Sequence, residues 1–263
     1  MEGRPLTLPA APIQIAYGNL TAVLLVQLPL MLLLPLVAGF VARRRLGQRL
    51  TLFWIGGATF VASQVVHLPL NFALGLLGPP RGLALAPLPV VAVAAGLSAG
   101  LCEELARYAT FRWVLRRDRG YRPAVQVGLG HGGVEAMIFG LLALSSFANV
   151  LLEPWAGALG ASEADRAILH YAAHRYWETP WYHAALAGWE RVCAMAFHTG
   201  ASVLVMRAVT RGRLGYLALA VGLHTALDAP VVYASQMGLF WLYVLLTAAA
   251  LGMALVAWKL DDP

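Results

Sequence analysis

LPVVAVAAGLSAGLCEELARYATFR, residues 88–112, decides what kind of molecule this is. A membrane-crossing helix needs about 20 mostly apolar residues. The stretch supplies them, yet it carries Glu103, Glu104 and Arg107 within the window and not at its edge. Charged groups at bilayer depth cost about 2.5–3.5 kcal/mol each on insertion scales and mark function by default. The segment is therefore both a spanning helix and one wall of a buried polar site. Six further windows qualify as spans, at about 18–42, 50–77, 123–147, 182–206, 214–235 and 237–258. The first is too long for a signal-peptide core and lacks a basic leader, so it is expected to be retained.

Composition agrees. Of 263 residues, 60% are hydrophobic and 12% charged, with a mean hydropathy of +0.68. Soluble domains carry about 25% charged residues, so a soluble domain is excluded, as are disorder, collagen and a coiled coil. The expected fold is an all-α integral membrane protein, a bundle of about seven transmembrane helices forming one polytopic domain over residues 1–263. Its catalytic core is expected at about 88–235 and an outer loop at about 148–181. Cys102 and Cys193 lie in apolar runs, which leaves no disulfide framework and no metal-type cysteine spacing.

The basic residues orient the bundle. Arg43, Arg44, Arg45, Arg49, Arg112, Arg116, Arg117, Arg119, Arg122, Arg207, Arg211, Arg213 and Lys259 all fall in alternate connections; Arg4, Arg81, Arg166 and Arg175 fall in the others. The positive-inside rule then puts the N-terminus outside and the C-terminus in the cytoplasm. Asp118, Asp261 and Asp262 lie on the cytoplasmic side, and Glu2, Glu153, Glu163, Asp165 and Glu178 on the outer side. The net charge of +6 is thus a topology signal with anionic-lipid contact, not a nucleic-acid footprint. The expected setting is a bacterial or archaeal plasma membrane. In the outer loop, Ser162 to Trp177 opens with a helix-start pattern. Tyr171, Tyr176, Trp177, Trp181 and Tyr182 would anchor it as an interfacial helix at headgroup level; an ordered loop with no part in chemistry is the alternative.

The spans hold an unusual set of polar groups: Glu103, Glu104 and Arg107; His131 and Glu135; Glu190, Arg191 and His198; His224 and Asp228. Five carboxylates against two arginines leave −3 with every histidine neutral. A low-dielectric interior does not hold that uncompensated, so protons or a bound cation must make up the difference. Glu103 and Arg107, His131 and Glu135, and His224 and Asp228 are each four apart, on one helical face. At 1.5 Å per residue, Glu103, His131, His198 and His224 reach similar depth on four helices, toward the cytoplasmic side. Gln64, His67 and Asn71 share a face of the second span, where they line the same cavity or hydrogen-bond between helices. Gly96 to Gly100 matches a nucleophile-elbow string, but inside a spanning helix it reads as small-residue packing around Ser98. Gly128, Gly130, Gly132 and Gly133 likewise permit close helix contact beside His131, and His170, His174 and His183 are expected to be solvated.

Three protease chemistries can be checked directly. The His-Glu-x-x-His zinc string is absent, an aspartyl dyad lacks a second intramembrane aspartate, and a serine mechanism would rest on Ser98. What remains is a glutamate-centred site. One carboxylate activates water, a second carboxylate or an arginine positions it, and histidines stabilise the oxyanion or hold a metal.

Glu103-Glu104-Leu-Ala-Arg107 resembles the Glu-Glu motif of the CAAX-protease and bacteriocin-processing superfamily, in the shorter spacing of its PrsW-type branch. Together with Gly130-His131-Gly-Gly-x-Glu135, Glu190-Arg191 followed by Phe197-His198, and His224-Thr-Ala-Leu-Asp228, the pattern is most similar to the YhfC branch of membrane peptidases, over about residues 64–228. The resemblance implies that Glu103 activates water with Glu104 as partner and Arg107 fixing the pair. Glu135 takes the second-motif position, with His131 a candidate for the imidazole found there in relatives. His198 and His224 would polarise the scissile carbonyl, and Asp228 would orient His224. His67, Glu190 and Arg191 would support. The implied mechanism is metal-free and glutamate-dependent, on a membrane-associated peptide or protein. The alternative is zinc held by His131, His198 and His224. A non-catalytic scaffold like the γ-secretase subunit lacks the paired glutamates, and a transporter would show internal repeats that are absent here.

Overall fold

A computed structural model describes residues 15–233 and 238–260. Arg4, Glu2, Asp261 and Asp262, and the stretch between the last two expected spans, lie outside the described residues. Among the described residues eight long helices carry the chain: α1 (Tyr17–Leu46), α2 (Leu50–Leu74), α3 (Leu88–Val114), α4 (Tyr121–Leu152), α5 (Glu163–Glu178), α6 (Tyr182–Arg211), α7 (Gly215–Val232) and α8 (Leu239–Lys259). All but α5 are long and apolar enough to cross a membrane, matching the seven expected windows, and no strand occurs among the described residues. Pro29 and Pro35 cannot donate the helical N–H, and α1 widens into two π turns, Val23–Gln27 and Pro29–Leu33, beside them.

α6 is the hub. In its most apolar window 72% of residues are buried, against 17–39% in the other spans, and it packs against α1, α3, α4, α7 and α8. Most large apolar residues of the other helices face outward, including Leu25, Val65, Leu141 and Phe240, as a lipid-facing surface requires. The Arg-rich connections gather at one end, where Arg49 pairs with Asp118 at 2.9 Å across two loops.

Close approach of backbones fixes the helix pairs that carry the polar residues. A Cβ on Gly130 would stand 1.8 Å from the Phe53 carbonyl oxygen, and one on Gly56 2.0 Å from the Val127 carbonyl oxygen. α2 and α4 therefore touch backbone to backbone, one residue from His131. Gly96 and Gly100 do the same for α3 against α7, next to Thr225 and His224.

α5 is the expected outer helix, with Ser162 accepting the Asp165 N–H at 3.1 Å as its cap. Its aromatics divide differently from the expectation. Trp177 is buried with Ala173 against Val23, Phe147 and Val150, and burial pushes the Tyr176 phenol up. Asn19 of α1 donates its side-chain amide to the carbonyls of Tyr176, Trp177 and Thr179, closing the end of α5. Trp177 thus anchors α5 to protein, because α1 supplies that hydrogen-bonding socket, while Tyr171, Trp181 and Tyr182 stay exposed. His170 and His174 pair with Glu153 and Glu178 at 2.8 and 3.2 Å, and His183 stacks on Tyr182.

Gly130→Ala forces α2 from α4 and should cost about 1–3 kcal/mol as overpacking does. Gly222→Ala, with nothing within 4 Å of its added Cβ, should leave the thermal midpoint in detergent unchanged or raised.

Candidate active site

Four helices deliver the site. α3 brings Glu103, Glu104 and Arg107; α4 brings His131 and Glu135; α6 brings Glu190, Arg191 and His198; α7 brings His224 and Asp228. Glu104 and Arg107 are wholly inaccessible to solvent and form an ion pair one turn apart. The other Glu104 oxygen lies 2.8 Å from His224 Nδ1. A carboxylate facing a guanidinium only accepts, so His224 donates from Nδ1, and its Nε2 faces the interior. That Nε2 lies 3.4 Å from Asp228 Oδ2 and 3.9 Å from Glu103 Oε2.

Arg107 also donates from Nη2 to His198 Nδ1 at 3.0 Å. A guanidinium has no lone pair to offer, so the His198 proton sits on Nε2. This nitrogen is 2.8 Å from Glu135 Oε2. Glu135 Oε1 accepts from Arg191 Nη1 at 2.8 Å, and Arg191 also pairs with Glu190 and lies over the Phe139 ring.

Glu103 accepts from His131 Nε2 at 3.0 Å through Oε2 and from Gln64 Nε2 at 3.3 Å through Oε1. The three imidazoles sit in a row, with ring centroids 4.8 Å apart for His131 and His198 and 5.3 Å for His198 and His224. Phe197 meets the latter two edge-on. Glu103, Glu135, Glu190, Arg191, His198, His224 and Asp228 line one cavity of about 70 Å³, enough for water. Beside it, an apolar groove of about 720 Å³ runs between α6 and α8 past Trp189, Tyr243 and Thr247.

Every spanning site residue expected from the sequence is brought into this constellation or next to it, but several partners differ. Arg107 pairs with Glu104, not with Glu103. The carboxylate holding the Nδ1 of His224 is Glu104; Asp228 faces Nε2 instead. The group able to bind a metal ion is Glu103, His198 and His224, whose donor atoms lie within 4.8 Å of one another. His131 is not in that group: its Nε2 is committed to Glu103 and its Nδ1 has no partner. The sequence left Gln64 between two roles, and it both hydrogen-bonds across helices and reaches Glu103. Leu246 of α8 also lines the cavity, and an apolar residue in an apolar span carries no signal of that.

A family model described as YhfC intramembrane metalloprotease matches residues 30–249. The membrane protein YhfC of Bacillus subtilis (strain 168) is 26% identical over 199 residues, covering 72% of this chain and 75% of that one. No solved structure matches.

Arg107→Leu strands the buried Glu104 charge and should cost about 3–5 kcal/mol, read as a lowered thermal midpoint. Adding Glu104→Gln to it should bring the midpoint back toward wild type.

Proposed function

The chain belongs to the YhfC intramembrane metalloprotease family, and from that premise we propose that it hydrolyses a peptide bond in or beside the membrane, using a zinc ion held by Glu103, His198 and His224. The observation carrying this proposal is the convergence of one carboxylate and two imidazoles from three helices, within 4.8 Å and facing a polar cavity. Two histidines and a glutamate are the ligand composition of catalytic zinc in soluble peptidases. His224 meets a further requirement, since a ligand imidazole usually gives its other N–H to a carboxylate, here Glu104. His198 is held differently: Arg107 donates to its Nδ1, so the neutral imidazole would have to move its proton from Nε2 to Nδ1, giving up that bond, before Nε2 took an ion. A dication would also reduce the buried formal charge from −3 to −1.

This replaces the metal-free glutamate mechanism that the sequence led us to expect. Glu103, flanked by two imidazole donors, serves better as a ligand, and the base role passes to Glu135. Bound there, zinc supplies Lewis-acid polarisation of the scissile carbonyl and acidifies a water. Arg191 holds Glu135 Oε1, and Oε2, released from its 2.8 Å contact with His198 Nε2 once that nitrogen holds the ion, would take a proton from the attacking water and return it to the leaving amine. Arg107 and Glu104 orient the two ligand imidazoles from their Nδ1 sides, and His131 fixes Glu103 from behind. The substrate is a membrane-associated peptide or protein, reaching the cavity along the apolar groove between α6 and α8. With the N-terminus outside, the site lies in the cytoplasmic half of the membrane.

Purified protein and a library of model transmembrane substrates test this. Chelation should abolish cleavage and zinc should restore it. Glu135→Gln should lower kcat by about 10²–10⁴-fold while still binding zinc, and His224→Ala should lose both activities. Cleavage that survives chelation but not Glu103→Gln would return the mechanism to a metal-free glutamate.

A further inference from the structure

α2 lies outside the four helices of the site, yet one of its faces runs into it. Gln64, His67 and Asn71, three and four residues apart, share that face, and Ser98 of α3 lies opposite. Ser98 Oγ lies 2.7 Å from Asn71 Oδ1, to which it donates in this chain, 2.9 Å from the Ala95 carbonyl and 3.3 Å from His67 Nε2. Asn71 Nδ2 lies 2.9 Å from His67 Nε2. An amide nitrogen only donates, so His67 Nε2 is the acceptor and the ring proton sits on Nδ1. From there it reaches Gln64 Oε1 at 3.1 Å. Gln64 Nε2 then donates to Glu103 Oε1 at 3.3 Å. All four hydrogen bonds point the same way, over about 10 Å of helix, and end on a carboxylate.

We propose that Gln64 and His67 are positioning residues for Glu103, acting through the one-directional chain Ser98, Asn71, His67, Gln64. Each donor in such a chain polarises the next, so the last hydrogen bond is aimed and strengthened by the ones behind it. Its effect is geometric. Oε1 of Glu103 is held by α2, and Oε2, shared with His131, is the oxygen turned toward His224 and the cavity. The tautomer of His67 is part of the device: with the proton on Nε2 it would confront the Asn71 amide and leave Gln64 Oε1 without a donor. His67 touches neither Glu103 nor the cavity, so its hydrogen-bonded reach to Glu103 passes through Gln64. That property separates positioning from plain interhelical adhesion, in which each bond would contribute independently to stability.

The proposal rests on the zinc peptidase reading only for its activity arm. Gln64→Leu, His67→Leu, their double variant and His67→Asn are compared with wild type for zinc affinity of the metal-stripped protein, kcat, KM and thermal midpoint. Both single leucine variants should bind zinc about 10–100-fold more weakly, as loss of an outer hydrogen bond does, and lose kcat with KM unchanged. The double variant should be no worse than Gln64→Leu alone. Asn places an amide N–H where His67 Nδ1 stood, so His67→Asn should recover most of the loss. Additive losses, or midpoints that fall while zinc affinity and the ratio of kcat to KM hold, would overturn it in favour of adhesion. Nitrogen NMR of histidine-labelled protein reads the His67 tautomer without zinc or substrate. A proton on Nδ1 that moves in Gln64→Leu is expected, and a proton on Nε2 in wild type overturns the chain. Wild type that neither binds zinc nor cleaves would sink the peptidase function and leave this last measurement decisive for the chain.

Discussion

A guanidinium with no access to solvent cannot be left to itself in an apolar medium, because the cost of burying it is recovered only through close, well-directed partners. Arg107 meets that demand with Glu104 on one nitrogen and His198 Nδ1 on another. Both choices propagate. Glu104, neutralised by Arg107, uses its second oxygen to hold the proton of His224 on Nδ1. His198, receiving a donor at Nδ1, must carry its own proton on Nε2. One buried cation therefore orients two imidazoles whose rings lie 5.3 Å apart, one accepting a hydrogen bond at Nδ1 and the other donating from it. Both imidazoles present Nε2 to the cavity side.

That arrangement depends on helix spacing that only glycine allows. α3 and α7 approach at Gly96 and Gly100, which brings His224 within hydrogen-bond distance of Glu104. α2 and α4 approach at Gly56 and Gly130, which brings both Gln64 and His131 onto Glu103. Lipid gives helices no hydrophobic reason to prefer one another, so packing of small residues and interhelical hydrogen bonds do the sorting. The same contacts that assemble the bundle thus determine which oxygen of which glutamate faces which imidazole.

Hydropathy and charge made the spans legible, since length and apolarity are one-dimensional properties. The outer helix was legible from its Ser162 cap. Depth and spacing also brought Glu103, His131, His198 and His224 together on paper, because 1.5 Å per residue applies to every helix alike. Rotation about each helix axis was not legible. It decides that Arg107 reaches Glu104 and not Glu103, that Trp177 turns to Asn19 and α1 and not to lipid, and that His131 stands behind Glu103 and not beside it. The candidate metal ligands come from α3, α6 and α7, so no contiguous string could contain them. The absence of His-Glu-x-x-His removed one zinc motif and said nothing about zinc.

The adjacent glutamates show how a single helix builds two environments. Consecutive residues on an α-helix point about 100° apart, so Glu103 and Glu104 meet different neighbours. Glu104 faces a fixed cation and is fully inaccessible; its charge is matched within the protein, and its remaining work is to hold His224. Glu103 receives hydrogen bonds from His131 and Gln64, neither of them a fixed cation, and it lines the cavity. No fixed cation contacts it. Of the two, only Glu103 turns an oxygen to open space, next to Nε2 of His224. A cation entering the cavity meets that carboxylate, whereas the structural pair behind it has nothing left to give.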